Sequence, residues 1–238
     1  MNYDYQDIIK NKMSFRETSA FFITNQCLFG SYPTQTQVNE LEEWGIDIIV
    51  NLTKLGEKKV EPYITNKKVI NFEITDNSIP VSEKILEFCS LVIYLVKMIN
   101  DCKKIYIHCK GGHGRSGILV ACILCYKYNV TVPESLKITN KCHLTRPIHA
   151  RRPQMNDYWI SKGSPQTEEQ KKFVQDIFWP YRVNRSPFNN SEWSSDKKGK
   201  IDNILKKTNI GPIFGVNGKI DIVMQKYRDE LIEGLFIW

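Results

Sequence analysis

Apolar residues along this chain fall into short β-branched runs that alternate with longer stretches of helical spacing. "SAFFIT" and "CLFGSYP" are the first apolar elements, and "QTQVNELEEW" follows with a helical pattern. "IDIIVNLT" is β-branched, of strand length, and ends in polar residues. "KVINFEI" is a further strand candidate, closing on "TDNSIP", which has turn chemistry. Between Val81 and Asn100, the residues Ile85, Phe88, Cys89, Val92, Val96 and Ile99 recur at helical spacing. That spacing predicts an amphipathic helix laid on a sheet. "KIYIH" is short, largely apolar and bounded by charge, as a central parallel strand should be. "RSGILVACILCYKY" predicts a buried helix, and "TVPESLKITNK" another with Pro133 in its first turn. Strands alternating with helices predict an α/β fold: a central, mainly parallel sheet flanked by helices.

The 238 residues suit one substantial domain with an appendage. We expect the domain over residues 1–185. A polar linker, "RSPFNNSEWSSDKKGK", and a C-terminal extension occupy 186–238, and the extension has enough apolar residues to pack back on the body. A net charge of +7 fits an anionic substrate, but it would serve nucleic acid or a membrane surface equally. The seven cysteines are odd in number and irregularly spaced, and "MNYDYQDIIKNK" has no apolar core of a signal peptide. A reducing compartment with free thiols is therefore expected: the cytoplasm, with the nucleus also compatible. Glu87 and Lys97 break the longest apolar run, so no stable membrane insertion is expected.

The stretch "IYIHCKGGHGRSG" carries the chemistry and admits two readings. Its glycines at 112, 114 and 117 spell G-x-G-x-x-G after an apolar run, as in a dinucleotide-binding turn. That reading also needs an acidic residue at the end of a second strand about 20 positions on. Glu134, the nearest candidate, lies at a helix start instead. The second reading takes Cys109 and Arg115 as a nucleophile facing a phosphate. Backbone N–H groups from Lys110 to Arg115 can converge on one point at a helix N-terminus, and Arg115 adds a full charge. These terms favour a thiolate. They also bind phosphate, with amides cradling its oxygens and the Arg115 fork holding two of them. Glycines at 111, 112 and 114 permit backbone geometries that a side chain would obstruct. The competing role for Cys109 is that of a buried structural thiol.

With H-C-x-x-G-x-x-R-S-G complete, "HCKGGHGRSG" resembles the signature loop of the cysteine-based protein tyrosine phosphatases, especially their dual-specificity branch. The resemblance implies a general acid on an upstream loop, and "DNSIP" offers Asp76. A turn or capping aspartate is the structural alternative there. It also implies a glutamine that positions the hydrolytic water, and "SPQTEEQKKFV" offers Gln166. The same segment reads as a helix start, with Thr167 as N-cap and Gln170 completing a capping box. By the same resemblance Ser116 bonds the Cys109 sulfur as it departs, and His108 braces the loop. Lys110, Gly111, Gly112, His113, Gly114 and Arg115 would bind the phosphate. His113 faces substrate or is an exposed imidazole. Arg146, Arg151 and Arg152 offer either a second anion site or an ordinary basic loop. Cys122 and Cys125 form a C-x-x-C inside an apolar helix with no second ligand pair, so no metal is expected there. No cofactor is implied.

The function expected is hydrolysis of phosphotyrosine in proteins through a cysteinyl-phosphate intermediate. Without a K-N-R-Y motif upstream, a shallower site that also takes phosphoserine and phosphothreonine is open. Lys110 at the first variable loop position keeps a phosphoinositide substrate as an alternative, although His113 stands where related lipid phosphatases put a second lysine. The basic charge keeps an RNA 5′-triphosphatase as another, although the loop departs from H-C-T-H-G-x-N-R-T-G at several positions. A non-catalytic phosphate-binding adaptor is the reading from a different class. The natural substrate and the oligomeric state are not legible.

Overall fold

The computed structural model of the chain describes residues 13–150 and 152–178. Two compact units divide the chain, Met1–Val174 and Gln175–Trp238. The expected 185/186 boundary, the linker, the extension and Arg151 lie outside the described residues.

Five strands form one sheet: β1 (Ser19–Ile23), β2 (Cys27–Gly30), β3 (Ile48–Asn51), β4 (Lys68–Asn71) and β5 (Ile105–His108). Their order is β1-β2-β5-β3-β4. Only the β1–β2 pair is antiparallel; β2–β5, β3–β5 and β3–β4 run parallel. The mainly parallel α/β sheet expected from the sequence is therefore present, with "IYIH" at its centre. All four residues of β5 are buried, as its continuous apolar run requires.

The helices follow their sequence signals. α1 (Gln35–Glu43) starts at a capping box in which Thr34 and Gln37 exchange bonds. α2 (Ile85–Asn100) is preceded by a 3-10 turn, Ser82–Lys84, so the helix begins later than Val81 and leaves Ile85 only half-buried. Besides the expected face, Leu91, Tyr94 and Leu95 are buried. This helix is enclosed on more than one side. α3 (Arg115–Tyr128) is buried from Arg115 through Cys125 and packs against α2, β2 and β5. Left-handed Asn129 ends it. α4 (Val132–Leu144) has a Thr131–Glu134 capping box with Pro133 in its first turn. α5 (Asn156–Lys162) and α6 (Glu168–Phe178) complete the described part. No described helix is long and apolar enough to cross a membrane.

Side chains alternate across each strand. Leu28, Ile49 and Tyr106 are register partners, and they share one core with Trp44, Val38 and Leu41. β5 thus reaches its C-terminal end flanked by β2 and β3. That is the point where chain order reverses in the sheet, and ligands of open α/β sheets bind outside such strand ends.

Candidate active site

The segment from Cys109 to Gly114 joins the central strand to the buried helix α3. Its cap residue Gly114 makes no side-chain cap bond. The first N–H groups of α3 consequently have no side-chain acceptor at the cap and are available to an anion.

The loop's carbonyls account for its shape. Lys110 O accepts from the Tyr32 N–H at 3.1 Å. Gly111 O and Gly112 O accept from Arg146 at 3.1 and 2.9 Å, and His113 O accepts from Ser164 Oγ at 2.6 Å. In a planar trans peptide the C=O of one residue points opposite the N–H of the next. Four carbonyls tied to surrounding protein therefore aim the N–H groups of residues 111–114 the other way. One of them is seen doing so: the Gly112 N–H donates to Cys109 Sγ at 3.2 Å. Gly112 has a φ of +74°, and a Cβ there would stand 2.3 Å from the Gly30 carbonyl carbon. No side chain fits that position.

Cys109 is buried, with Ser116 Oγ 3.6 Å from its sulfur. Arg115 is buried too, and its terminal nitrogens are fully engaged. They donate to both Glu57 oxygens at 2.6 and 2.9 Å, to Ile74 O at 3.1 Å and to Asp76 Oδ1 at 2.8 Å. Burial opposes the charge on Arg115, but the Glu57 bond, then the Cys109 sulfur and Asp76, outweigh it and push the guanidinium pKa up. Burial likewise acts to raise Glu57, and its bonds to Arg115 overcome that and hold it below the ordinary carboxylate value. Glu57 was not picked out from the sequence. It lies in a polar loop after β3, and no local pattern marks it as the partner of a residue so far along the chain.

Asp76 follows the β4 region and is exposed except for its Arg115 contact. Its neighbour Asn77 is left-handed, with a φ of 59°. The start of α6 reaches this turn. Gln166 Nε2 donates to Asn77 Oδ1, and Gln170 Nε2 donates to Ser78 O at 3.1 Å. The capping box holds as read: the Thr167 N–H donates to Gln170 Oε1, and the Gln170 N–H to Thr167 Oγ1, both at 3.2 Å. Gln170, not Gln166, is fully buried against the loop, and a Cβ on Gly114 would meet its amide at 2.6 Å. Gln166 stays half-buried beside the Asp76 turn.

His108 is buried, its Nε2 2.9 Å from the Tyr63 hydroxyl and its ring edge-on to Tyr32 and Tyr63. A bracing role fits these contacts. His113 corrects an expectation, because it is not an exposed imidazole. Its ring is buried, stacked 4.8 Å from Trp159 of α5, with Nδ1 2.8 Å from His143 Nε2. Only its backbone is disposed toward the loop's inner side. Arg146 is likewise neither an exposed basic residue nor a free second anion site, since it is 3% exposed and bonded to the loop carbonyls. Lys110 is half-buried at the loop's start. Cys122 and Cys125 are buried in α3; burial pushes the Cys122 thiol well up, and Cys125 donates to Ser135 Oγ.

All four histidines of the chain surround this loop, and burial holds each neutral. It lowers His108 and His113 to about 3 and His143 to about 2, and it lowers His149 as well. The charge of Arg146 adds to the effect on the last three. Unfolding returns each imidazole to about 6.5. Below that pH the unfolded chain binds more protons than the folded one, so the stabilisation is complete above about 6.5 and lost beneath it. Each fully buried histidine contributes up to about 1.4 kcal/mol per pH unit in that range. Urea midpoints should drop clearly between pH 7.5 and 5.5. Equal midpoints would show that the rings accept protons in the folded state.

Comparison with known proteins follows the same lines. A family model described as "Polymorphic toxin system, DSP-PTPase phosphatase" matches residues 26–129, from the edge of β2 through α3. Two viral proteins, both provisionally named tyrosine phosphatases, are similar over most of the chain. The 197R protein of Invertebrate iridescent virus 6 is 36% identical over 71% of this chain, and the 067L protein of Invertebrate iridescent virus 3 is 37% identical over 76%. The matched region spans 57% of the first relative's length and 73% of the second's. Among solved structures, Tk-PTP in its active form superposes with a TM-score of 0.51 at 23% identity, over 67% of this chain and 95% of that one. A kinase associated phosphatase whose catalytic cysteine is replaced by serine gives 0.52 at 17%, over 70% and 95%. These two share the fold.

Proposed function

This chain belongs to the cysteine-based protein tyrosine phosphatase superfamily, and on that premise we propose that it is a cysteine-dependent phosphatase acting on phosphotyrosine in proteins. One observation carries the reading. A single guanidinium, Arg115, sits on the loop whose Gly112 N–H reaches the Cys109 sulfur, and it also holds the Asp76 carboxylate at 2.8 Å. The residues proposed as nucleophile and anion clamp, on one loop, thus meet the proposed acid from a separate part of the chain.

In this arrangement the Asp76 carboxylate stands in for a substrate oxygen on Arg115. An incoming phosphate takes its place on the fork, using Nε–H and the released N–H, while Glu57 keeps the other edge. The Cys109 sulfur attacks phosphorus in line as the bond to the phenolic oxygen breaks, and Asp76, freed from Arg115 and having taken up a proton from solvent, gives that proton to the departing oxygen. Backbone N–H groups of the loop hold the equatorial oxygens, where preorganised dipoles contribute most. In the second step water attacks the thiophosphate, Asp76 takes its proton, and the sulfur leaves toward the Ser116 hydroxyl. Gln166, or Gln170 beside it, orients that water from the start of α6.

The choice of a protein substrate rests on two supports. The viral relatives are named as tyrosine phosphatases. With His113 buried, Lys110 is the only variable loop position that offers a side-chain charge, which suits one phosphate better than a polyphosphorylated headgroup. The test is turnover by the reduced chain on phosphotyrosyl, phosphoseryl and phosphothreonyl peptides, phosphoinositides and triphosphorylated RNA. Phosphotyrosyl peptides should be hydrolysed fastest. Preference for the lipid or the RNA would overturn the protein substrate, and peptide binding without turnover would favour an adaptor.

A further inference from the structure

We propose that Arg146 is a positioning residue of the phosphate site, its fork turning two consecutive loop peptides so that the Gly112 and His113 N–H groups face the bound oxyanion. The proposal rests on the reading of the loop as a phosphate cradle and adds a residue that touches neither the sulfur nor the substrate.

Three observations converge on it. First, the fork spans successive carbonyls: one terminal nitrogen donates to Gly112 O at 2.9 Å, the other to Gly111 O at 3.1 Å. Because each trans peptide sets its C=O opposite the next N–H, fixing these two oxygens fixes the directions of two N–H groups. The first of the two, on Gly112, is the one found at the Cys109 sulfur. Of the four loop carbonyls tied outward, Arg146 holds two and is the only charged donor.

Second, Arg146 is a buried cation with no carboxylate partner among the described residues, whereas Arg115 has two. An isolated buried charge is costly unless something compensates it. The groups around it supply no fixed negative charge. His113, His143 and His149 are buried and neutral, and Tyr106 and the Cys109 sulfur are the remaining titratable neighbours. The compensating charge arrives with the oxyanion on the other side of the loop.

Third, the scaffold around Arg146 is cross-linked by hydrogen bonds. His143 reaches His113 of the loop, His149 bonds the His143 carbonyl at 2.9 Å, and Asn156 Oδ1 accepts from the N–H groups of His149 and Ala150. Residues 145–150 are thereby tied down where the fork must be.

The test compares the full parent chain with Arg146→Met and Arg146→Lys. It reads tungstate affinity by calorimetry, kcat and KM for p-nitrophenyl phosphate, and thermal midpoints to correct for folded fraction. Losing two charge-assisted bonds should weaken tungstate binding roughly 10- to 100-fold in Arg146→Met. Arg146→Lys, which keeps the charge but can reach one carbonyl, should fall between. Parent-like affinity and kcat in either folded variant, even with a lower midpoint, would reduce Arg146 to packing and overturn the proposal. Should Arg146→Met fail to fold, Arg146→Lys decides alone by the same criterion. A parent chain that binds no tungstate would instead sink the phosphate-site reading itself.

Discussion

Cys109→Ser should lower turnover of a phosphotyrosyl peptide by more than about 10⁴-fold while the chain still folds and binds phosphate. The asymmetry follows from how the site is built. Nucleophilicity resides in one sulfur atom, and a serine hydroxyl in its place lacks the base that would activate it. Phosphate recognition is spread over backbone N–H groups whose directions are set by carbonyl bonds to Tyr32, Arg146 and Ser164, together with the Arg115 fork. None of these depends on the sulfur. The exchange is also nearly isosteric in a buried position, so the thermal midpoint should change little. The check is single-turnover hydrolysis beside calorimetry with inorganic phosphate. Turnover within about tenfold of the parent would remove Cys109 as nucleophile, and lost phosphate affinity would show that the cradle needs the thiolate.

How much of this site was legible in the sequence depended on whether its parts are contiguous. From Ile105 to Gly117 the chain reads strand, loop and helix in one stretch, and local rules suffice there. The apolar run placed β5 in the middle of the sheet, and the glycines marked where backbone replaces side chain. The turn at Asp76 was legible because "TDNSIP" has its own turn chemistry, whereas its role as acid was read from the family resemblance alone; the α6 capping box was readable from local pattern too. Glu57 and Tyr63 were not. Each reaches the loop from the segment between β3 and β4, which has no periodic pattern, and the pairing of β3 with β5 and of β4 with β3 brings them there. His113 and Arg146 show the opposite failure. By composition a histidine and an arginine in polar, glycine- or proline-rich surroundings read as exposed. Here the long α4 carries His143 under the loop, and α5 brings Trp159 over His113. Burial of those two side chains is a property of four segments meeting, which no window of sequence contains.

Asp76→Ala should divide kcat and KM in a way that a merely structural aspartate would not. As the proton donor to the leaving oxygen, Asp76 is worth about 10²–10⁴-fold in kcat on a phosphotyrosyl peptide. Yet its carboxylate also occupies Arg115, at 2.8 Å, in the state without substrate. Substrate must displace it, so removing the carboxylate frees an N–H of the fork for the incoming phosphate. KM should therefore stay level or fall while kcat collapses. The identity of the leaving group sharpens the test. An aryl phosphate whose phenol is strongly acidic needs little help in departing, so the loss should shrink on that substrate and grow on one with a weakly acidic phenol. A loss equal across both, or a rise in KM with kcat intact, would mean that Asp76 orients Arg115 and gives no proton. Asp76→Asn separates the remaining ambiguity, because it retains an oxygen that can accept from Arg115 but cannot act as an acid. Its kcat should match that of Asp76→Ala.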